Sequence, residues 1–565
     1  MQQLIECVPN FSEGRDLSII KQITDVIEAI DGVKLLNVDP GKATNRTVVT
    51  FVGTPDAVIE AAFQAIAKAA ALIDMAKHKG EHPRMGATDV CPLIPVAGIS
   101  MEETADYARK LAKKVGEQLN IPVYLYEAAA IISGRNNLSE IRAGEYEGFF
   151  KKIKQAEWKP DFGPSEMNAK SGATVIGARD FLVAYNINLN TTSVRRANSI
   201  AFDVRERGRI KREGDPITGK VVKDANGEAV YEAGSLKAVK AIGWFIEEYG
   251  VAQISMNLTN ISITPVHVAF DEVCKRAEAR GIRVTGSELV GLIPLNAMLD
   301  AGKYFLEKQQ RSIGVSESEL IKIAIKSMGL DELAPFIPEQ RIIEYLLKDT
   351  ESEKLVSLSL KSFANETASE SPAPGGGSIS AYLGALSASL ATMVANLSSH
   401  KRGWDDRWKE FSDYAAQGQL LKDKLLQIVD EDTRAFNQIM NAFGLPKETD
   451  DEKKARRKAI QDATLHAIEV PFEAMKLSLH AMQLCEAMAE LGNPNSVSDA
   501  GVGALAARAA VLGAFLNVKI NGSGLDNKNW FQERLAEAED LVEKANILEQ
   551  RILLIVDNKM NMTAV

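Results

Sequence analysis

Apolar positions along this 565-residue chain follow one rhythm up to about residue 330 and another beyond it. Residues 4–8 form a short apolar run, and Asp16 can cap a helix through Ile30 that stops at Gly32. Residues 33–38 and 47–52 read as strands. Thr54-Pro55, a cap followed by proline at the first helical position, opens an Ala-rich helix to about Met75. Residues 90–94 read as a strand, Ser100 with Glu103 forms a capping box for a helix to about Leu119, and residues 123–126 read as a strand. Strands alternating with helices predict a sheet covered by helices.

A second unit of similar pattern follows. Residues 181–188 alternate as a strand, 193–204 read as a helix and 253–258 as a strand, and Thr264-Pro265 starts a helix ending at Gly281. Between them, residues 214–234 carry the turn signals DPITGK and DANGEA and read as an inserted hairpin or loop. The segment 158–177, broken by proline and glycine, reads as an irregular connector. Pro335, Pro338 and a polar run over 349–354 mark a second connector. Beyond Ser362, Ala, Leu, Lys and Glu dominate, and helical patterns occupy 379–397, 407–443, 451–489, 500–518 and 528–556. The expected architecture is multidomain: two α/β subdomains (1–180 and 181–330), a linker (331–350) and an all-α antiparallel bundle (351–565).

Composition narrows the class. With 45% hydrophobic and 25% charged residues the chain reads as soluble, and a net charge of −10 argues against a general nucleic-acid binder. Cys7, Cys91, Cys274 and Cys485 show no CxxC spacing, which predicts a reducing, cytoplasmic setting without a disulfide framework or zinc site. The N-terminus lacks a basic region followed by an apolar run, so no signal peptide is expected. Residues 379–397 mimic a membrane span, but Ser380, Ser387, Ser389, Thr392 and Asn396 lie within them; a helix buried in a bundle is the expectation.

Two clusters carry chemistry. His78, Glu81, His82, Arg84 and Asp89 fall within twelve residues, where Pro83 and Gly86 prevent a continuous helix. His82 can be a general base, one member of a metal pair with His78, or a structural hydrogen-bonder. VPNFSEGRD, near the N-terminus, supplies turn geometry, substrate contact, or both. In the second cluster, Gly375, Gly376 and Gly377 precede an apolar helix that Ser378 can cap; such a start suits an anionic or carbonyl group, or is a flexible linker. No lysine follows the glycines, which excludes a nucleotide P-loop.

VPNFSEGRD, HKGEHPRMGATDVCPLIP, WKPDFGPSEMNAKSGATVIGARDF and NINLNTT together resemble the formimidoyltransferase half of the formimidoyltransferase-cyclodeaminases. SPAPGGGSISAYLGAL, VDEDTRAF and LGNPNSVSDAGVGA resemble the cyclodeaminase/cyclohydrolase half, over roughly 350–545. The resemblance implies a bifunctional folate enzyme. Its first reaction transfers a formimidoyl group from N-formimidoyl-L-glutamate to N5 of tetrahydrofolate, and its second cyclises the product to 5,10-methenyltetrahydrofolate with loss of ammonia. It further implies His82 as catalytic base and Gly163, Pro164, Ser171 and Gly172 in a folate-binding segment; proximity to these motifs adds Asp39 and Arg84 as polar supports. Arg84 would clamp a donor carboxylate. In the second half it implies Asp432 as acid/base and Gly375–Ser378 as substrate-binding. Asp430, two residues earlier, points elsewhere on a helix, and Asp499 reads as a helix cap or a second site carboxylate.

The expected co-substrate is a tetrahydrofolate carrying a polyglutamyl tail, with no metal, no nucleic acid and no membrane. The resemblance implies a homo-oligomer of dimers, up to a ring of eight. Lys401, Arg402, Arg407 and Lys409 around Trp404 and Trp408, and the run Arg205, Arg207, Arg209, Lys211 and Arg212, are landing patches for that tail or solvated basic faces; as landing patches they would favour hand-off between the sites. Two other readings stand beside this one: a methenyltetrahydrofolate cyclohydrolase in place of the cyclodeaminase, and a folate-binding scaffold with vestigial sites.

Overall fold

The computed structural model describes residues 3–42, 44–80, 83–132, 134–214, 219–347 and 355–563. The chain forms two compact units, residues 1–297 with 328–348, and residues 298–327 with 349–565.

The first subdomain of the first unit contributes strands β1 (Leu4–Cys7), β2 (Asn10–Phe11), β3 (Val33–Gly41), β4 (Arg46–Gly53), β5 (Thr88–Ala97), β6 (Val123–Glu127) and β7 (Thr174–Ala178) to one mixed sheet. β1 and β2 share one strand position, interrupted at Pro9, between β4 and β5. β3 pairs with β4, while β7 runs parallel to both β5 and β6. Here the structure corrects the connector read over 158–177: its last four residues lie in β7. TVIGA is a short buried run that shows neither period. Gly177 belongs there because a Cβ would fall 2.4 Å from the Tyr126 ring.

Three helices, α1 (Leu17–Glu28), α2 (Pro55–Leu72) and α3 (Met101–Leu119), cover one face. Asp16 caps α1 by accepting from Ser18 N, and Ser100 with Glu103 closes the capping box of α3. Strand side chains alternate, so with Ile5, Cys7, Phe51, Cys91 and Leu125 packed against these helices, Glu6, Thr50 and Tyr126 face the other way. A smaller cluster on that second face, Tyr124, Val175, Ile141 and Phe149, seats two short helices absent from the sequence pattern, α4 (Leu138–Arg142) and α5 (Glu145–Lys152).

In the second subdomain β8 (Val183–Leu189) leads into α6 (Val194–Val204), capped by Ser193. The insert folds as short ribbons, β9 (Arg209–Ile210) with β12 (Tyr231–Glu232), and β10 (Arg212–Glu213) with β11 (Lys220–Val221); residues 215–218 of its DPITGK turn lie outside the described residues. Strands β13 (Val239–Ile246) and β14 (Val251–Leu258), helix α7 (Val266–Glu278) and strand β15 (Val284–Val290) complete an antiparallel sheet of order β13-β14-β8-β15. Helix α6 sits directly on β13 at Gly243, where a Cβ would fall 2.4 Å from Asn198 N.

Helices α8 (Leu295–Lys308) and α9 (Glu317–Met328) fall mostly in the second unit. The turn between them is tied to the bundle: Asn396 and Gln419 donate to Gly314 O at 2.8 and 3.2 Å, and Ser412 Oγ accepts from Ile313 N. The short helices α10 (Pro338–Arg341), α11 (Ile343–Leu347) and α12 (Leu360–Thr367) precede five long ones. These are α13 (Gly376–Ser399), α14 (Trp408–Phe443), α15 (Asp450–Leu491), α16 (Val497–Gly522) and α17 (Lys528–Thr563). The polar run 349–354 lies outside the described residues. Two segments, Gly376–Ser399 and Pro494–Gly522, are long and apolar enough to cross a membrane by composition. In this fold both pack against neighbouring helices through small residues: a Cβ on Gly384 would lie 2.3 Å from Ser478 Oγ, and one on Gly503 2.7 Å from Cys485 Sγ.

Candidate functional sites

Opposite its helices, the first sheet presents a polar face that the second subdomain roofs over, leaving a cavity of about 300 Å³. Glu6 forms its floor. It sits on β1 between β4 and β5, only 2% exposed, and burial pushes its carboxyl up to about 7 despite the nearby Arg179 guanidinium. Asp39 lies at the exposed rim on β3.

Three arginines, Arg46, Arg142 and Arg179, line the same cavity. Arg46 Nη2 donates to Asn10 Oδ1, and burial pushes its pKa down to about 10. Arg142 is held by Asp89 at 2.7 Å, and Asp89 also accepts from Met85 N at 3.0 Å. Asp89 is fully buried; desolvation raises its pKa, with Arg142 and Arg46 opposing. This carboxylate thus fixes one cationic wall and, through Met85, the turn after residue 82.

His82 and Glu81 lie outside the described residues. Their flanks are anchored. His78 shares a proton contact with Asn45 O at 2.8 Å through Nε2 and accepts from Arg84 Nε through Nδ1 at 3.3 Å, so its ring is committed to the loop. Arg84 does not line the cavity. Its fork grips Glu147 at 2.7 and 3.0 Å and Glu145 at 2.9 Å, so a donor carboxylate would have to displace them.

Gly163, Pro164, Ser171 and Gly172 also lie outside the cavity, on the loop that leads into β7. Gly163 (φ +84°) lets that loop close on Ile121 O, and Gly172 (φ +71°) lets it cross Met85 O; a Cβ on either would fall 2.3 Å from that oxygen. Ser171 Oγ is buried with no hydrogen-bond partner among the described residues. The sequence reading missed Glu6, Arg46, Arg142 and Arg179. The available signal was the lone acid inside the apolar run LIEC, which alternation turns away from the core.

In the bundle, Gly375 is the N-cap of α13, which displaces Ser378 from the capping role read for it into the first turn. Ser378 Oγ instead donates between Asp432 Oδ2 at 3.0 Å and Val429 O at 3.1 Å on α14. A Cβ on Gly377 would stand 2.1 Å from Asp432 Oδ1, and one on Gly376 3.3 Å from Asn517 Nδ2 of α16. The glycines therefore let the helix start close directly over the carboxyl. Burial raises the Asp432 pKa, with the Ser378 hydrogen bonds pulling it down. Glu431, one residue earlier, pairs with His466 of α15 at 3.0 Å. Asp499 lies in the first turn of α16, eighteen residues or about 27 Å of helix from Asn517, which separates it from this site and suits a carboxylate near a helix N-terminus.

Family models match in chain order. They are the formiminotransferase domain N-terminal subdomain over residues 4–179, the formiminotransferase domain over 184–348 and formiminotransferase-cyclodeaminase over 359–540. Formimidoyltransferase-cyclodeaminase of Mus musculus is 44% identical over 92% of this chain and 93% of its own. That of Gallus gallus is 41% identical over 99% of this chain and 100% of its own. A methenyltetrahydrofolate cyclohydrolase of Methylorubrum extorquens is 38% identical over 36% of this chain, covering 97% of its own. With a cleft-bearing α/β unit and a carboxyl-bearing helical unit each matched by these relatives, the chain belongs to the formimidoyltransferase-cyclodeaminase family.

Proposed function

We propose that the chain carries out two consecutive reactions on a reduced folate. The formimidoyl group of N-formimidoyl-L-glutamate passes to N5 of tetrahydrofolate and L-glutamate leaves; N10 then closes on the same carbon, ammonia leaves and 5,10-methenyltetrahydrofolate forms. The observation that carries this reading is that relatives named for both activities match over nearly the whole chain, each unit of which has its own built polar site.

In the transferase step N5 attacks the formimidoyl carbon while a neutral imidazole, His82 in this proposal, takes the N5 proton. The tetrahedral centre collapses by breaking the carbon–nitrogen bond to glutamate, and the proton goes to the departing amine. Arg46, Arg142 and Arg179 offer a cationic wall for the carboxylates of folate and donor, and Asp39 at the rim can accept pterin N–H groups. Gly163, Pro164, Ser171 and Gly172 contact folate in this proposal, Ser171 through its unpaired hydroxyl. In the second step Asp432, protonated more readily than an ordinary aspartate, delivers its proton to the departing ammonia. The N–H groups at the α13 start, Gly375 to Ser378, orient the substrate.

Three finer points belong to the same proposal. The folate carries a polyglutamyl tail, which the cleft arginines suit. The chain is a homo-oligomer, supported by apolar stripes left exposed along α13 (Leu386, Met393, Leu397) and α16 (Val502, Leu505, Leu516, Ile520). The setting is cytoplasmic, which free thiols at all four cysteines favour, Cys7 and Cys91 lying 3.5 Å apart unbridged.

The cyclohydrolase relative gives one specific ground for a second reading, in which the bundle hydrolyses methenyltetrahydrofolate. The deciding experiment supplies purified protein with N-formimidoyl-L-glutamate and tetrahydrofolate and follows glutamate, ammonia and the methenyl chromophore. Equal glutamate and ammonia release is expected, with His82→Ala stopping glutamate release yet still cyclising added 5-formimidoyltetrahydrofolate. Glutamate release without ammonia, together with hydrolysis of added methenyltetrahydrofolate, would replace the second half of the proposal.

A further inference from the structure

The arginine run that the sequence leaves open builds a pocket of its own. α6 presents Arg195 and Phe202 along one face, and the ribbon strands bring Ile210, Arg212 and Tyr231 against them, enclosing about 330 Å³. Arg205 and Arg209 complete the lining.

Charge balance sets this pocket apart from a solvated basic face. Among the described residues four arginines line it and no carboxylate does. Asp203, the acid that reaches the cluster, is already engaged by Arg209 and Arg280. Arg205 Nε and Arg212 Nη1 donate to the backbone oxygens of Gly208 and Gly219, each at 2.8 Å. Among the described residues no carboxylate pairs with Arg195, Arg205 or Arg212. Burial and the neighbouring Arg207 push the Arg205 pKa down, the response of a partly desolvated cation lacking a counter-ion.

The walls are also planar. Arg205 stacks 4.0 Å over the Phe202 ring and Arg207 4.3 Å over the Tyr231 ring, which holds their forks in fixed orientations beside aromatic surface. The site is distinct from the transferase cleft. α6 buries Ala197, Ile200, Ala201 and Val204 against one face of the β13-β14-β8-β15 sheet, whereas the cleft residues Ala184, Asn257 and Val290 project from the opposite face. An occupant here cannot meet the reacting atoms.

The geometry points to a second ligand site in this pocket, taking an aromatic phosphate monoester of mononucleotide type, its ring against Phe202, Ile210 and Tyr231 and its phosphate on Arg205 and Arg212. Arginine forks suit phosphate oxygens, and the ring walls distinguish such a ligand from a bare anion.

Calorimetric titration of the full chain with adenosine 5′-monophosphate, inorganic phosphate, adenosine and triglutamate tests this. The nucleotide is expected to bind one per chain, roughly tenfold or more tighter than each of the other three. Arg205→Gln with Arg212→Gln should weaken it by roughly tenfold or more while transferase activity stays unchanged. Should the double variant fail to fold, Arg195→Gln, at an exposed helix position, gives the same comparison with a smaller loss. No nucleotide binding, binding of phosphate or triglutamate as tight as the nucleotide, or binding undiminished in the variants would overturn the assignment. The last result would place the ligand in the arginine-walled transferase cleft instead.

Discussion

Two carboxyls, the buried Glu6 and the half-buried Asp432, have their pKa values raised by desolvation, with different consequences. For Asp432, in the acid role proposed for it, the consequence would be catalytic. Asp432→Asn keeps the Ser378 contact but removes the transferable proton, so ammonia release should fall by ~10²–10⁴-fold with glutamate release unchanged. In the parent protein, ammonia release should decline as pH rises through the elevated Asp432 pKa. A rate in the variant equal to the parent's would remove Asp432 from the reaction. For Glu6 the consequence is thermodynamic. Its folded carboxyl keeps a proton up to about 7, whereas in the unfolded chain it ionises at the ordinary glutamate value. Unfolding therefore releases a proton between those values, so its stability contribution is complete below the lower one and is lost as pH climbs towards about 7. Glu6→Gln cannot ionise; it should exceed the parent in stability near pH 8 by up to roughly 3 kcal/mol and match it near pH 4, read from urea unfolding midpoints. Asp432 was legible because a motif surrounds it. Glu6 was less so: alternation in LIEC turns the lone acid away from the core, but only the sheet shows that this face is roofed over into a cavity.

At the scale of elements, the helix starts were the clearest signals. Asp16 and Ser100 cap where the pattern placed them, because an N-cap is chosen by chemistry within four residues. Strands β7 and β15 escaped detection for the opposite reason, that their partners lie far away in sequence, while β13, which pairs with the neighbouring β14, carries a glycine at a close backbone crossing, as β7 does. The start of α13 combines both cases. Its glycines advertise a helix N-terminus or a flexible linker equally well, and only the distance to Asp432 decides between them. Gly377→Ala is the corresponding test. A methyl 2.1 Å from Asp432 Oδ1 must push the carboxyl aside, and a displacement of that order costs on the order of 10²-fold in ammonia release. Alanine is the better helix former, so far-UV circular dichroism should show the bundle intact. Unchanged ammonia release would mean that the carboxyl does its work from another position.

For the whole molecule, the bundle poses a surface problem that its core does not solve. α13 and α16 pack against each other through glycine, alanine and serine, which leaves their larger side chains to point outward. On α16 the outward residues Val502, Leu505, Leu516 and Ile520 fall within about 60° of one helix face, with Leu516 66% and Ile520 70% exposed. Leu386, Met393 and Leu397 make a matching stripe on α13. Stripes of this extent favour burial against another surface, and a second copy of the bundle supplies one of the same chemistry. Leu516→Asp with Ile520→Asp separates the two possibilities. In an isolated chain both positions are exposed and the substitutions should shift stability by no more than about 0.5 kcal/mol each. In an assembly they would bury carboxylates without partners, which is strongly unfavourable, so the complex should come apart. Light scattering on the parent and the variant reads the outcome directly: a smaller mass for the variant, with circular dichroism unchanged, is expected. Equal masses would mean that any assembly of this chain uses other surfaces and that the stripe stays open to solvent.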